Sequence, residues 1–355
     1  MLTPDLETLR AVLDGLDVLL AQKVRPSGRK LQVLDLRQVG QNFWSFWSVW
    51  SAAPVRPSRA MSLRETEADC PCTGRQRPLK VVVDLRYSIE DGITREFLMY
   101  ACDWAQQRKD LVHLCCKRLD LYVWNFDKVR KFLEMVDLNC IEDIEVHIYC
   151  HRDRLEQFVP YLIQMKSVRN IIFRNFPGWG PCCPKIGEEI RTAMTSTFLK
   201  LDKLQKLQLR RITFDGDHPP LDRCLKTPLE SLTITKCWLS EWEMDHLFLC
   251  PSMHQLKELD LTGTEVQDIH TKTLQTLLEK VAATLQVLIL EDCLIRDFQL
   301  SHILPSLSRC HQLMTFNFCG NQISKAALEN LLRHTLGLGK LKSVTYPVPL
   351  ELLSW

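Results

Sequence analysis

The chain has 355 residues, 46% of them hydrophobic and 25% charged, the proportions of a folded chain long enough for two ordinary domains or one extended repeat array. Lys and Arg number 45 against 43 Asp and Glu, a formal balance of 45 − 43 = +2, which supplies no general pull toward nucleic acid or an acidic membrane. No apolar run approaches the ~20 residues of a membrane helix, and the acidic, amphipathic start "MLTPDLETLRAVLDGLDVLL" lacks the basic lead and smooth apolar core of a signal peptide.

The first predicted element is a helix opening near Pro4, a favoured first-turn proline, with Leu6, Leu9, Leu13, Leu16 and Leu20 as its apolar stripe. It fills a helical segment, 1–30. "LQVLDLRQV" then alternates Leu34 and Leu36 behind Leu31, the pattern of a strand buried on one face. "FWSFWSVW" follows, with Trp44, Trp47 and Trp50 three residues apart. These rings read either as a cluster packed on the first repeats or as a hydrophobic anchor for a partner. Strand and Trp-rich stretch together make 31–50. Residues 51–79 lack periodicity and are rich in Pro, Arg and Ser, which predicts a flexible surface insertion.

From 80 to 200 the chain reads as irregular repeats. "LVHLCCKRLDL", "IEDIEVHI" (Ile141, Ile144, Val146) and "VRNIIF" (Val168, Ile171, Phe173) resemble imperfect strands, and "FPGWGPCCPKIGEE" is a Pro/Gly turn between copies. Regular repeats occupy 201–355. Copies start at Leu204, Leu229, Leu256, Leu285, Leu313 and Leu341, so the intervals are 229 − 204 = 25, 256 − 229 = 27, 285 − 256 = 29, 313 − 285 = 28 and 341 − 313 = 28. The pattern L-x-x-L-x-L at this period is that of a leucine-rich repeat. A helical stretch follows several of the strands. "SEWEMDHLFL" gives Met244, Leu247 and Phe248 one face, "TKTLQTLLEKV" does so for Leu274, Leu277, Leu278 and Val281, and "SKAALENLL" places Leu328, Leu331 and Leu332 behind a Ser324 cap. One strand and one helix cannot bury their apolar faces alone, whereas stacked copies can. The predicted fold is therefore α/β, a leucine-rich-repeat solenoid or horseshoe with parallel strands on the concave face and helices on the convex face.

Cysteine usage fits that fold. Fifteen is odd, and many cysteines sit in apolar segments: Cys115, Cys116, Cys237, Cys250, Cys293, Cys310 and Cys319. Free cysteine packs as a small hydrophobe, so the expected compartment is reducing and intracellular, the cytoplasm with the nucleus as a second location. Cys293 sits where a repeat turns away from its strand, a slot for a small side chain that satisfies turning backbone; Cys237 and Asn321 hold the same slot and Thr264 departs from it.

Chemistry finds little support. Cys70-x-Cys72 and the Cys115-Cys116 and Cys182-Cys183 pairs lack zinc spacing, and His246, Cys250 and His254 have no second ligand pair. Glycine-rich phosphate loops and G-x-S-x-G are absent from the sequence. A non-enzymatic protein with no cofactor, no catalytic residue and no metal is expected. Three L-x-x-L-L stretches, beginning at Leu16, Leu274 and Leu328, could fit a nuclear-receptor groove, but the same leucines are the stripes that must face the core.

What remains is the strand face opposite the leucines. Alternation places Lys206, Gln208 and Arg210 there, then Ser231, Thr233 and Thr235. Glu258, Asp260 and Thr262 follow, then Val287, Ile289 and Glu291, then Thr315 and Asn317. Charge runs from basic through hydroxyls to acidic, and a protein substrate with the opposite order is expected to dock on this concave face.

The stretches "LDGLDVLLAQKVRPSGRKLQVLDLRQVGQNFW", "HLCCKRLDL", "LNCIEDIEV", "AATLQVLILEDCLIRD", "LPSLSRCHQL" and "FCGNQIS" closely resemble the PRAME (preferentially expressed antigen in melanoma) family. The resemblance implies a leucine-rich-repeat horseshoe acting as a substrate receptor of cullin-2 RING ubiquitin ligases. It also implies links to repression of retinoic-acid-receptor transcription, to proliferation and to reduced apoptosis and differentiation. Family members bind elongin through a box in a short helical segment ahead of "LTPDLETL", and they continue past "YPVPLE"; the box is expected to lie outside this N-terminus. Two other readings stand beside this one: a corepressor that binds a retinoic acid receptor, and a ribonuclease-inhibitor-like blocking protein that shares the fold.

Overall fold

The computed structural model describes residues 6–21, 31–37, 78–86, 92–122, 126–147, 152–175, 198–212, 225, 227–239, 241–266 and 271–353. They fall into two units, one of residues 1–117 and 131–137, the other of 118–130 and 138–355. The Trp44–Trp50 stretch, all but the end of the 51–79 insertion, and "FPGWGPCCPKIGEE" lie outside the described residues.

The first unit holds α1 (Leu6–Ala21), β1 (Val33–Asp35), β2 (Leu79–Arg86), α2 (Gly92–Gln106) and the leading half of β3 (Val112–Tyr122). The predicted stripe buries Leu9, Leu13 and Leu16 of α1. Asp17 on its outer side pairs with Arg108, whose guanidinium lies 4.8 Å from the centroid of the Trp104 ring. β1 and β2 pair in parallel, Val33 opposite Lys80 and Asp35 opposite Val82. Leu79, expected to close the insertion, opens β2 and is buried.

Along the chain come α3 (Phe126–Leu133), β4 (Asp143–His147), α4 (Arg152–Leu162), β5 (Asn170–Arg174), β6 (Lys206–Arg210), β7 (Ser231–Thr235) and α5 (Glu241–Leu249). β8 (Glu258–Asp260), α6 (Thr271–Val281), β9 (Val287–Ile289), α7 (Asp297–Leu307), β10 (Thr315–Asn317), α8 (Lys325–Leu336), β11 (Ser343–Thr345) and α9 (Leu350–Leu353) complete it. In the second unit β3 through β11 lie side by side in chain order, each parallel to the next. The leucine pattern explains the register. Leu207, Leu232, Leu259, Leu288 and Phe316 are direct neighbours across the sheet, each at most 1% exposed. Each such side chain stabilises the stack by about 1.5–3 kcal/mol. The helices line up likewise, α5 on α6, α6 on α7 and α7 on α8. Met244, Leu247, Phe248, Leu274, Leu277, Leu278 and Val281 are buried, as their spacing predicts, and Ser324 caps α8 by accepting the Ala327 N–H at 3.2 Å.

A left-handed residue recurs at one position after the strands. Asn175, Arg211, Lys236, Gly263, Asp292 and Gly320 all have φ between 51° and 75°. The amide of each of the first five donates to a carbonyl of the following repeat: Arg210, Thr235, Thr262, Glu291 and Cys319. The backward step in φ turns the chain off the sheet without breaking the ladder.

The next residue is the turn slot. Asn321 donates through Nδ2 to the Leu290 carbonyl at 2.6 Å and to that of Phe318 at 2.8 Å, and accepts the Ile295 amide at 3.0 Å. The Cys237 thiol donates to Leu209 and accepts from Ile212, both at 3.4 Å. Cys293 donates to the Leu261 carbonyl at 3.2 Å. Thr264, expected to depart from this slot, fills it: its hydroxyl donates to the Ile234 carbonyl at 2.9 Å and accepts the Cys237 amide at 3.4 Å. A hydroxyl, a thiol and an amide do one job because the site asks only for a short donor–acceptor pointing back one repeat. Burial pushes the Cys293 thiol up to about 12 and the Cys237 thiol up to about 11, so both stay protonated donors rather than nucleophiles. Of the cysteines singled out in the sequence, Cys237, Cys293, Cys310 and Cys319 are free thiols, whereas Cys115 is disulfide-bonded, a departure from the expected reduced set.

Candidate protein-binding face

The residues opposite the leucines form one face in the second unit, polar on β6 to β8 and on β10 and interrupted by Val287 and Ile289 on β9. Register fixes them in rows. Lys206 sits beside Ser231 and Ser231 beside Glu258; Gln208 sits beside Thr233 and Thr233 beside Asp260; Arg210 sits beside Thr235. Asp260 continues to Ile289 and Asn317. Thr262 and Glu291 stand just past the ends of β8 and β9. The nine predicted site residues that lie on strands thus share one side of one sheet, with Thr262 and Glu291 just beyond it.

Their interactions divide the face. Lys206 Nζ lies 3.8 Å from Glu258 Oε2, an ion pair that reaches over Ser231 from β6 to β8. Arg210 donates to the Gln208 side chain at 2.8 Å through Nη2, while its buried Nε has no hydrogen-bond partner. Asp260 accepts from the Thr262 amide at 2.9 Å and hydroxyl at 2.6 Å. Further along, Asn317 donates to Glu291 at 2.8 Å. From β6 to β8 the face therefore runs from basic through hydroxyl to acidic.

The earlier strands add a group that sequence reasoning missed. Asp120 of β3, Glu145 and His147 of β4 and Arg174 of β5 share the same face by alternation. His147 Nε2 stands 3.3 Å from both Asp120 Oδ1 and Glu145 Oε1. Arg174 pairs with Glu145, and Arg118 lies 3.5 Å from it. The hydrogen bond from His147, with Arg174 beside it, outweighs burial and draws the Glu145 carboxyl down to about 2. Burial works against a charged imidazole at His147, but the two carboxylates outweigh it and carry His147 up to about 9. The ligating atoms of Asp120, Glu145 and His147 lie within 4.8 Å of one another, a spacing a metal ion could use. A proton on the imidazole and an arginine on Glu145 already fill that role, so the group reads as a charge-paired ladder.

Of the L-x-x-L-L stretches only the one at Leu274 is wholly core; Leu20, Leu328 and Leu332 of the other two are partly buried. Leu274, Leu277 and Leu278 are wholly buried, Leu331 is buried, and of the first set Leu16 is buried while Leu19 is half exposed. Among the described residues, no helix is long and apolar enough to cross a membrane.

Parallel strands with one left-handed turn and one turn-slot residue per copy, leucines inside and a polar ladder outside, define a leucine-rich-repeat protein. Family models agree in detail: the PRAME N-terminal domain matches residues 1–44 and the PRAME C-terminal domain residues 79–354. The chain belongs to the PRAME family. It is 48% identical to human PRAME family member 12 over 349 residues, covering 98% of this chain and 71% of that protein. It is 46% identical to human member 8, covering 99% and 73%, and 42% identical to human member 10, covering 100% and 74%. Among solved structures, an internalin from Listeria monocytogenes overlaps 78% of this chain and 84% of its own at 13% identity with a TM-score of 0.36, a likeness too distant to inform function.

Proposed function

We propose that the chain is a non-enzymatic protein-interaction scaffold that holds a protein partner on the strand face, in the manner of the substrate-recognition subunit of a cullin-2 RING ubiquitin ligase. The observation that carries this reading is the contrast between the two sides of the sheet. The leucine side is closed, while Lys206 and Glu258 on the other side keep side-chain exposures of 46% and 48%. A polar surface in strict register, carrying charges of both signs, suits specific capture of another protein. Elongin and cullin-2 enter through family likeness, with the cytoplasm as the place of action. The family's repression of transcription, limits on apoptosis and differentiation, and support of proliferation follow from which protein is held. The corepressor route through L-x-x-L-L is weakened by burial, since Leu274, Leu277 and Leu278 cannot dock a receptor without local unfolding.

Affinity capture of the tagged full chain from cells tests the proposal, with elongin, cullin-2 and co-purifying proteins read by mass spectrometry. Wild type should recover cullin-2 and a set of partners. The Glu258→Lys/Asp260→Lys variant should keep cullin-2 and lose partners held on the face. Absence of cullin-2 defeats the ligase reading, and an unchanged partner set defeats the face.

A further inference from the structure

Two of the left-handed turn residues are long cations. Arg211 and Lys236 both have φ 54°, at the position where other copies place Asn175, Gly263, Asp292 and Gly320. Glycine enters that region freely and Asn or Asp with little penalty, whereas a long side chain gains nothing there to offset the strain. A strained residue that the fold could replace cheaply points to a use outside the fold.

Both cations are exposed, and among the described residues neither side chain is ion-paired or hydrogen-bonded. Register sets them side by side. Arg210 faces Thr235 one residue earlier, and the Arg211 amide donates to the Thr235 carbonyl at 2.9 Å. Their backbones are therefore one strand spacing apart, about 4.8 Å. Lys236 has room because its neighbour in the next copy is Gly263, on which a Cβ would fall 2.9 Å from Lys236 Cγ. Trp238 completes the group. It is 51% exposed, and its amide donates to the Ile212 carbonyl at 3.1 Å, which holds it beside the β6 turn just after Arg211. All three residues follow the ends of β6 and β7, on the rim of the sheet and off its strand face. Glu265, exposed at the position of Trp238 one copy on, and exposed Asp292 bound the group with negative charge.

Arginine and tryptophan are the side chains that most often anchor protein interfaces. We infer that the rim at the ends of β6 and β7 holds a short acidic peptide segment of a partner, carboxylates on Arg211 and Lys236 and an apolar side chain on Trp238. This rests on the scaffold reading above for the class of partner and adds a contact away from the strand face. Carboxylates complement the two unpaired cations, and an apolar side chain removes the indole from water. Glu265 and Asp292 repel a longer acidic run, so the acidic stretch ends where the apolar contact begins.

Fluorescence anisotropy on the full chain tests this with three labelled peptides: Leu-Leu flanked by Glu-Glu on each side, the same with Gln for every Glu, and the same with Ser for each Leu. The first should bind about tenfold more tightly than either of the others, and its binding should weaken with salt. Arg211→Asn and Lys236→Asn should each weaken it about threefold. Their thermal midpoints should hold or rise, since Asn175 occupies the same turn position. Trp238→Ala should remove the advantage of leucine over serine, and Arg333→Gln, an exposed cation on α8, should change nothing. Equal binding of the Glu and Gln peptides, no binding of any, or tighter binding of a single-stranded oligouridine overturns the inference without relying on a variant. Unchanged affinity in the asparagine variants, or midpoints that fall in both, overturns it as well. If no peptide binds while Glu258→Lys/Asp260→Lys still strips partners in the capture experiment, the rim falls and the scaffold stands. Peptide binding that needs Arg211, with a captured set unchanged by Glu258→Lys/Asp260→Lys, keeps the rim and removes the strand face.

Discussion

Thr264→Val isolates what a turn-slot residue does. Thr264 is 0% exposed, and valine matches its shape while deleting the hydroxyl. Two backbone groups lose their partner, the Ile234 carbonyl at 2.9 Å and the Cys237 amide at 3.4 Å. A buried polar group left unsatisfied costs about 1–3 kcal/mol, and the longer bond belongs at the low end. The added methyl returns roughly 1 kcal/mol of burial. The net loss is about 2 kcal/mol. With a urea slope of about 3 kcal/mol/M, the midpoint should fall by about 0.7 M. Repeat arrays open locally, so far-UV circular dichroism in urea is best joined by hydrogen exchange at the Cys237 amide, which should lose protection first. Thr264→Asn, which installs the side chain that serves at Asn321, should cost clearly less. A valine variant with unchanged midpoint and unchanged Cys237 protection refutes the idea that these side chains hold one repeat to the last.

Gly320→Ala should be costly for a different reason. Gly320 has φ +75°, and an added Cβ would fall on the Asp292 carboxylate and 3.2 Å from its backbone nitrogen. A left-handed alanine costs about 1–2 kcal/mol before that clash is relieved, and an unshifted thermal midpoint would contradict it. The His147 ladder predicts a pH profile. His147 is raised to about 9, so its contribution is complete below about 6.5 and fades as pH rises through about 9. Glu145 is lowered to about 2, so its contribution is complete above about 4.5 and fades as pH falls toward about 2. Urea midpoints should therefore decline on the alkaline side between those His147 limits, and His147→Gln should flatten that slope. A slope unchanged by the substitution would assign it to other groups.

The regular copies are legible in the sequence because their leucines keep phase: one alternation rule places both the buried row through Leu232 and Leu259 and the polar row through Thr233 and Asp260. The same rule reaches Asp120, Glu145, His147 and Arg174 on β3–β5 once the strands are in register. Without that register it is hard to apply, because "HLCCKRLDL" and "IEDIEVHI" blur the leucine phase and the partners come from separate copies. β2 is obscured by "LKVVVDL", whose consecutive aliphatic residues hide the period of two. Thr264 escapes a rule based on residue type, since the slot selects hydrogen-bonding capacity instead. The Lys206–Glu258 bridge has no sequence signal at all, since it skips a strand and depends on the small Ser231 beneath it.

The turn-slot bonds that cross between repeats all point one way. Asn321 serves the Leu290–Ile295 turn before it, Thr264 serves Ile234, and Cys237 serves Leu209 and Ile212. Each of these copies is thus finished by its successor, like roof tiles laid in courses. Peeling from the C-terminal side strips a turn carbonyl and a turn amide of these side-chain partners, whereas peeling from the N-terminal side removes only backbone donors, such as the Arg211 amide on the Thr235 carbonyl. The array has a grain, and damage should spread more readily along it than against it.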